Sequence, residues 1–452
     1  MNQTVPRIVL AGTNSGCGKT TVACAISQAF VNRGMKVGAF KCGPDYIDPM
    51  FHSKIIGAKS ANLDLTFFSE NTTKYLLAKN GADRDISIIE GVMGFYDGLG
   101  LTETTASTYA LSQVTDSPVV LVVGAKGASL SILAVIQGFL DFCPENHICA
   151  VILNGCTAMT YGALAGEIEK RFHGRVQPLG FLPKLPQCSL ESRLLGLVTA
   201  DEVEDLHRKL QLLAEQAEKT ICLDGLLALA QNAAPVAYQP VVLPEKEPVR
   251  IGIARDNAFC FYYADSLRAL EKMGARLVPF SPLSDEALPE NLHGLYFGGG
   301  YPELYTDALE KNVAMRSAVK TALKNGLPCI AECGGFMYLT EAIADRAMVG
   351  FLPGKCFDTG KLTRFGYVRL TATQDNMLCP AGGEIAGHEF HHWDADFCGT
   401  GYTAAKASGK SWQCVHTSPT LYAGFPHFHF YANPDFAVRF YDACLKEKHR
   451  YD

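Results

Sequence analysis

The stretch Ile8-Val9-Leu10-Ala11, followed by Gly12-Thr13-Asn14-Ser15-Gly16-Cys17-Gly18-Lys19-Thr20-Thr21, decides how this chain folds. An apolar run of strand length breaks into glycines and re-enters a helix-like segment from Val22 to Phe30. Such a junction turns successive backbone N–H groups into one concavity at a helix start, with Lys19 and Thr20 beside it. That is a seat for a nucleotide polyphosphate, and every residue from Gly12 to Thr21 is a candidate contact. Five residues separate Gly12 from Gly18, one more than a standard Walker A loop has.

Outward from this loop, the first half alternates strand-length and helix-length segments. The strand-like runs are Ile8–Ala11, Lys36–Phe40, Ile86–Ile89, Val119–Val123 and Ile148–Leu153. Near-continuous Val, Ile and Leu, rather than strict alternation, is the pattern of a parallel sheet covered on both faces. Residues 200–231 read as helix, and the stretch from Ala234 to Pro248 is rich in proline. At Val249 the alternation restarts, with Arg250–Ala254, Leu277–Phe280, Gly294–Phe297, Pro328–Ala331 and a last strand Tyr422–Phe430. Two doubly wound α/β domains are therefore expected, 1–190 and 249–452, joined by a helical segment and linker over 191–248. A length of 452 residues suits two or more cores.

Composition narrows the partners. With 40 basic and 46 acidic residues the net charge is −6, which advertises no nucleic-acid face. Neither a charged-then-apolar leader nor an uninterrupted apolar span is visible, so a cytoplasmic protein without membrane attachment is expected. The 16 cysteines are scattered without a Cys-x-x-Cys pair, which points to buried thiols rather than zinc knuckles or disulfides.

The strand ends of the first half collect charged residues where an open parallel sheet binds ligands. Lys41 and Asp45 lie in Phe40-Lys41-Cys42-Gly43-Pro44-Asp45-Tyr46-Ile47-Asp48-Pro49. Glu90 and Asp97 lie in Ile88-Ile89-Glu90-Gly91-Val92-Met93-Gly94-Phe95-Tyr96-Asp97-Gly98. Magnesium takes a few carboxylates together with phosphate oxygens and water, so Thr20 and Glu90, with Asp45, are its expected seat. Asp97 is a further candidate carboxylate in the same chemistry, Lys41 a contact to phosphate or an anionic substrate, and Asn154 a reader of adenine.

The second half presents a thiol. In Leu327-Pro328-Cys329-Ile330-Ala331-Glu332-Cys333-Gly334-Gly335-Phe336, Cys333 follows an apolar strand and precedes two glycines and a helix-like segment. A strand, a sharp turn and a helix expose a nucleophile and put N–H groups beside it. Gly334 and the upstream Gly299 and Gly300 are the candidate oxyanion donors, and Cys329 belongs to the core. The run Gly424-Phe425-Pro426-His427-Phe428-His429-Phe430 places two histidines at period 2, hence on the same face of one strand. A base is still required, and these two histidines are the candidates for it. His388-Glu389-Phe390-His391-His392 matches H-E-x-x-H, but glycines precede it and no helix context surrounds it, so it reads as a strand rather than a zinc site.

The Gly-Thr start with its longer gap before Gly18-Lys19-Thr20 resembles dethiobiotin synthetase. The glycine loop, cysteine elbow and late histidine resemble the class I (triad) glutamine amidotransferases, with a flavodoxin-like fold. Where most of those have His-x-Glu this chain has His427-Phe428-His429, so the resemblance implies that His427 is the base and puts His429 in the place of the orienting glutamate; Ala331 stands where many have glycine. Both halves together, with Lys41 to Pro49, Glu90 to Gly98, Ala331 to Gly335 and Gly387 to His391, are similar to the corrinoid glutamine amidotransferases. That resemblance implies amidation of the a and c acetate carboxylates of cobyrinate with glutamine, ATP and Mg2+, and substrate contact at Tyr46 and Ile47 as well as Lys41 and Asp45. Hydrogenobyrinate and nickel sirohydrochlorin are the rival substrates. A nucleotide-switched partition-type scaffold is the rival of another class, and Asn14, in place of that group's signature lysine, argues against it. A homodimer is the base-rate expectation for such an enzyme.

Overall fold

The computed structural model describes residues 1–188 and 200–450. It divides into two compact units, Met1–Val241 and Val242–Asp452. The part of the expected linker segment at 191–199 lies outside the described residues.

In the first unit the apolar runs form a seven-stranded parallel sheet. Its strands are β1 (Arg7–Gly12), β2 (Val37–Cys42), β3 (Lys59–Leu63), β4 (Ile86–Glu90), β5 (Val119–Gly124), β6 (Ile148–Asn154) and β7 (Gln177–Leu182). Their order across the sheet is β3-β2-β4-β1-β5-β6-β7. The runs expected as strands are the five inner ones. The two edge strands, β3 and β7, carry less apolar sequence and escaped the pattern. Helix Lys19–Asn32 buries Val22, Ala23, Ile26 and Phe30 against β1 and its neighbours. The residues expected as one helix over 200–231 are two, Ala200–Thr220 and Leu223–Gln231. Leu206, Leu210, Leu213, Leu223 and Leu226 join the same core, so these helices belong to the first unit's packing.

The second unit contains a six-stranded sheet built from β8 (Val249–Ala254), β9 (Ala275–Phe280), β10 (Gly294–Phe297), β11 (Cys329–Glu332), β16 (His416–Ser418) and β17 (Leu421–Gly424). The order is β9-β8-β10-β11-β17-β16, parallel except for β16 against β17. A second, antiparallel sheet was not foreseen. It runs β15-β14-β12-β13-β18, from β12 (Arg364–Ala372), β13 (Glu384–His391), β14 (Tyr402–Ala405), β15 (Ser411–Cys414) and β18 (His427–Phe428). The H-E-x-x-H residues lie at the end of β13, which runs to His391, so the helix a zinc site would need is absent there.

One expectation is corrected. The run Tyr422–Phe430 is not a single strand: β17 ends at Gly424, and β18 begins at His427 in the other sheet. Phe425-Pro426 is the corner, and proline has no N–H to extend a ladder. His429 lies beyond β18, in extended backbone at the start of a short 3-10 turn, Phe430–Ala432.

Candidate active site

Both units bring chemistry to the carboxyl ends of their parallel strands. In the first, the glycine loop leaves β1 and turns through Gly16 (φ 81°) and Gly18 (φ 91°) into the helix at Lys19. Gly18 is required twice over: its φ is left-handed, and a Cβ there would lie 1.9 Å from Asn154 Nδ2. Asn154 Nδ2 donates to Cys17 O at 2.9 Å, so the side chain expected to read adenine is seated against the loop backbone. The second carboxyl-end loop is laced to the first. Phe95 N–H donates to Gly12 O at 2.8 Å, and Asp97 Oδ2 accepts from Gly94 N–H at 2.7 Å.

Glu90 is the hub of this site. It is fully buried at the end of β4, with Oε1 accepting from Thr20 Oγ1 at 2.6 Å and from Lys41 Nζ at 3.0 Å. Lys41 also pairs with Asp48 Oδ2 at 2.6 Å. Burial disfavours the Lys41 cation, yet Glu90, Asp48 and Asp45 outweigh it and hold the ammonium well above its ordinary range. Asp45 accepts from Ile47 N–H at 2.8 Å, and burial with the neighbouring Asp48 pushes its pKa up to about 6. Lys19 Nζ donates to Met93 O at 3.2 Å, and burial, then the nearby Lys41, lowers its affinity for a proton. A buried lysine disfavoured as a cation gains most from an arriving anion. Sequence reasoning missed Asp48 and His52. The latter sits in a π-helical turn, His52–Ile56, with Nε2 3.5 Å from Glu90 Oε2.

Magnesium fits here on one observation. Glu90 Oε2 is buried without a hydrogen-bond partner among the described residues. It belongs to the carboxylate whose other oxygen meets Thr20 at the glycine loop, and such an oxygen suits a hard cation. Among the described residues no three His, Cys, Asp or Glu side chains cluster as an all-protein metal site. Mg2+ does not need one, since it keeps water and phosphate oxygens.

In the second unit, Cys333 leaves β11 at φ 48° and ψ −107° and starts helix Gly334–Leu339. A non-glycine residue in that region is strained, and the surrounding contacts hold it: Cys333 N–H donates to Gly424 O at 2.7 Å, and Met337 N–H to Cys333 O at 2.9 Å. The glycines around it are close-packed. A Cβ on Gly299 would lie 2.5 Å from the His427 ring, and one on Gly334 would meet Pro302 at 2.8 Å and Gly300 N at 3.2 Å. Gly299 thus borders the imidazole, Gly334 follows the thiol in sequence, and Gly300 lies against Gly334.

His427 is buried and hydrogen-bonded to Cys333. Burial acts to lower its pKa, but Cys333 and Glu332 outweigh burial and hold it at about 10. Nδ1 lies 3.0 Å from Glu332 Oε2, which leaves the other ring nitrogen for Cys333. The group on His427 Nδ1 is Glu332, and not His429, which stands in the place of the amidotransferases' glutamate. His429 Nδ1 instead accepts from Tyr431 N–H at 3.1 Å, and its ring lies 4.9 Å from that of Tyr263. The missed signal was a carboxylate inside the apolar strand Cys329-Ile330-Ala331-Glu332, which demands a partner.

Comparisons with known proteins bear on both units. Residues 8–215 match the CobQ/CobB/MinD/ParA nucleotide binding domain, and residues 250–434 the CobB/CobQ-like glutamine amidotransferase domain. The chain is 40% identical to a cobyrinate a,c-diamide synthase of Clostridium acetobutylicum over 95% of its length and 98% of that relative. Relatives with the same description are 39% identical in Caldanaerobacter subterraneus (96% of this chain, 98% of that one) and 37% identical in Thermoplasma volcanium (98% of each). No helix among the described residues is long and apolar enough to cross a membrane.

Proposed function

Because the chain belongs to the cobyrinate a,c-diamide synthase family of glutamine-dependent amidotransferases, we propose that it amidates the a and c acetate carboxylates of cobyrinate through acyl phosphates made from ATP. A carboxylate is a poor acceptor for ammonia until its oxygen is phosphorylated. The first unit does this. The loop amides of Gly12 to Thr21 and Lys19 hold the polyphosphate, while Lys41, Asp45, Tyr46 and Ile47 face the substrate. Asn154 supports the nucleotide side, and Asp97 fixes the second loop. Thr20, Glu90 and Asp45 would hold Mg2+, which when bound offsets charge on the transferring phosphoryl group.

The second unit supplies nitrogen. Cys333 thiolate attacks the side-chain carbonyl of glutamine, forming the C–S bond, and the carbonyl charge rests on N–H groups of Gly299, Gly300 and Gly334. As the C–N bond breaks, the His427 imidazolium gives its proton to the departing nitrogen, which leaves as ammonia. His427 then takes a proton from water as the water oxygen bonds to the thioester carbon; the C–S bond breaks, Cys333 leaves as thiolate, and glutamate departs. Ammonia displaces phosphate from the acyl phosphate and leaves the amide.

The observation that carries this reading is the hydrogen-bonded Cys333 and His427 at a strand-to-helix elbow, in one chain with a phosphate loop. The test supplies cobyrinate, hydrogenobyrinate or nickel sirohydrochlorin with glutamine and Mg-ATP and weighs the products. Two carboxyl-to-amide conversions on cobyrinate, with matching glutamate release, are expected. ATP cleavage with no deamidation of glutamine under any acceptor would defeat the reading.

A further inference from the structure

We propose that Glu332, the residue immediately before the nucleophile, is the positioning residue of the glutaminase site, holding His427 by Nδ1 and stabilising its cationic form. This rests on the roles given above to Cys333 and His427. Nδ1–H donates to Glu332 Oε2 at 3.0 Å, and the other oxygen, Oε1, accepts from Tyr296 OH at 2.9 Å. Glu332, His427 and Tyr296 are 1%, 4% and 2% exposed, so water does not compete for these contacts. A buried carboxylate persists in a central strand when paired and hydrogen-bonded on both oxygens, as this one is.

Adjacent strand residues point to opposite faces, so a residue and its immediate neighbour do not ordinarily serve one ring. The left-handed backbone of Cys333 breaks that alternation. Glu332, on β11, and Cys333, just past its end, thereby reach the same imidazole, each through a different contact. Burial raises the Glu332 pKa, while His427 and Tyr296 pull it back down; beside the charged ring its carboxylate accepts the Nδ1 hydrogen bond while the proton passing to nitrogen leaves from the other side of the ring.

Other titratable groups near His427 do not fill this role. His388 is its cross-strand partner on β13, and burial, then the charge on His427, lowers its pKa to about 3. His391 is likewise held neutral, with a pKa of about 4 set chiefly by burial. Glu389 interacts with the His427 charge, but burial raises its pKa to about 7. Its Oε2 has no hydrogen-bond partner among the described residues, the His427 ring included.

The test compares Glu332→Gln, Glu332→Asp and His429→Asn with the parent and with Cys333→Ala, using cobyrinate, Mg-ATP and either glutamine or ammonium chloride. For Glu332→Gln, glutamate release falls about 10²- to 10⁴-fold, and ammonium-dependent amidation persists. The alkaline limb of the glutamine profile moves to lower pH, because the imidazolium has lost the carboxylate that held its proton. Glu332→Asp, which keeps the charge but shortens the reach, falls between Gln and parent. His429→Asn, which keeps an acceptor for Tyr431 N–H, leaves the limb in place. The proposal is overturned if Glu332→Gln retains the parent rate, or loses rate with an unmoved limb, or if the limb follows His429. Glutamine hydrolysis surviving in Cys333→Ala would instead overturn the reading beneath it.

Discussion

The two sites treat charge in opposite ways. Around Glu90, two lysines and three carboxylates crowd one buried pocket, and Lys19 is disfavoured as a cation there. Around Cys333 the charges close on themselves: thiol to His427, His427 to Glu332, Glu332 to Tyr296. The first arrangement is completed by what binds it, as suits a site for anionic phosphate and a divalent cation. The second is complete before glutamine arrives, which suits a nucleophile that must be ready without a reorganising step.

The largest test of this contrast is a crossed pair of variants. Cys333→Ala is expected to bring glutamine-dependent amidation to background while ammonium-dependent amidation continues. Glu90→Gln is expected to reduce both by about 10²- to 10³-fold, because Thr20 and Lys41 lose their shared carboxylate. Product formation with each nitrogen donor decides it. If Cys333→Ala failed with both donors in a folded protein, or Glu90→Gln failed with glutamine alone, the division between the sites would be misdrawn.

A smaller effect is expected from Gly299→Ala. The added Cβ would lie 2.5 Å from His427 Cε1, so the ring must shift. Misplacement of about 1 Å costs a rate on the order of a hundred-fold. The loss should appear in kcat for glutamate release and spare the ammonium reaction. An unchanged kcat would mean that the ring has freedom that its contact with Glu332 denies it.

The same contrast explains what the sequence discloses. The phosphate loop is contiguous, and its chemistry is mostly backbone, so Gly12 to Thr21 is legible without knowing what lies across the sheet. The five inner strands of the first unit are legible because burial on both faces demands unbroken Val, Ile and Leu. The edge strands β3 and β7 relax that demand. In the second unit Cys333 and His427 are legible by type and setting, but the tie between His427 and Glu332 is not. They are 95 positions apart, and the rule of strand alternation sends Glu332 away from the thiol. Only the φ of Cys333 reverses that, and φ is not written in residue type. Pro426 did carry a warning that the run to His429 could not continue as one strand.

Three buried carboxylates lend the comparison its subtlest test. Glu90 is held by Thr20 and Lys41, and Glu332 by His427 and Tyr296. Glu389 is 1% exposed, and its Oε2 has no hydrogen-bond partner among the described residues. Burial pushes its pKa from 4.5 up to about 7, against the attraction of Arg364. Between those values the folded chain keeps a proton that the unfolded chain has released. Stability therefore falls as pH rises through that window and is level with respect to this group above it. Glu389→Gln removes the ionisable group at nearly constant shape. Relative to the parent, its Tm should rise by a few degrees at pH 8 and change less at pH 5, where the parent carboxyl is already protonated. Thermal unfolding at the two pH values reads the difference directly. An equal shift at both would mean that the proton on Glu389 does not govern its cost, and that this carboxylate is held as firmly as the other two.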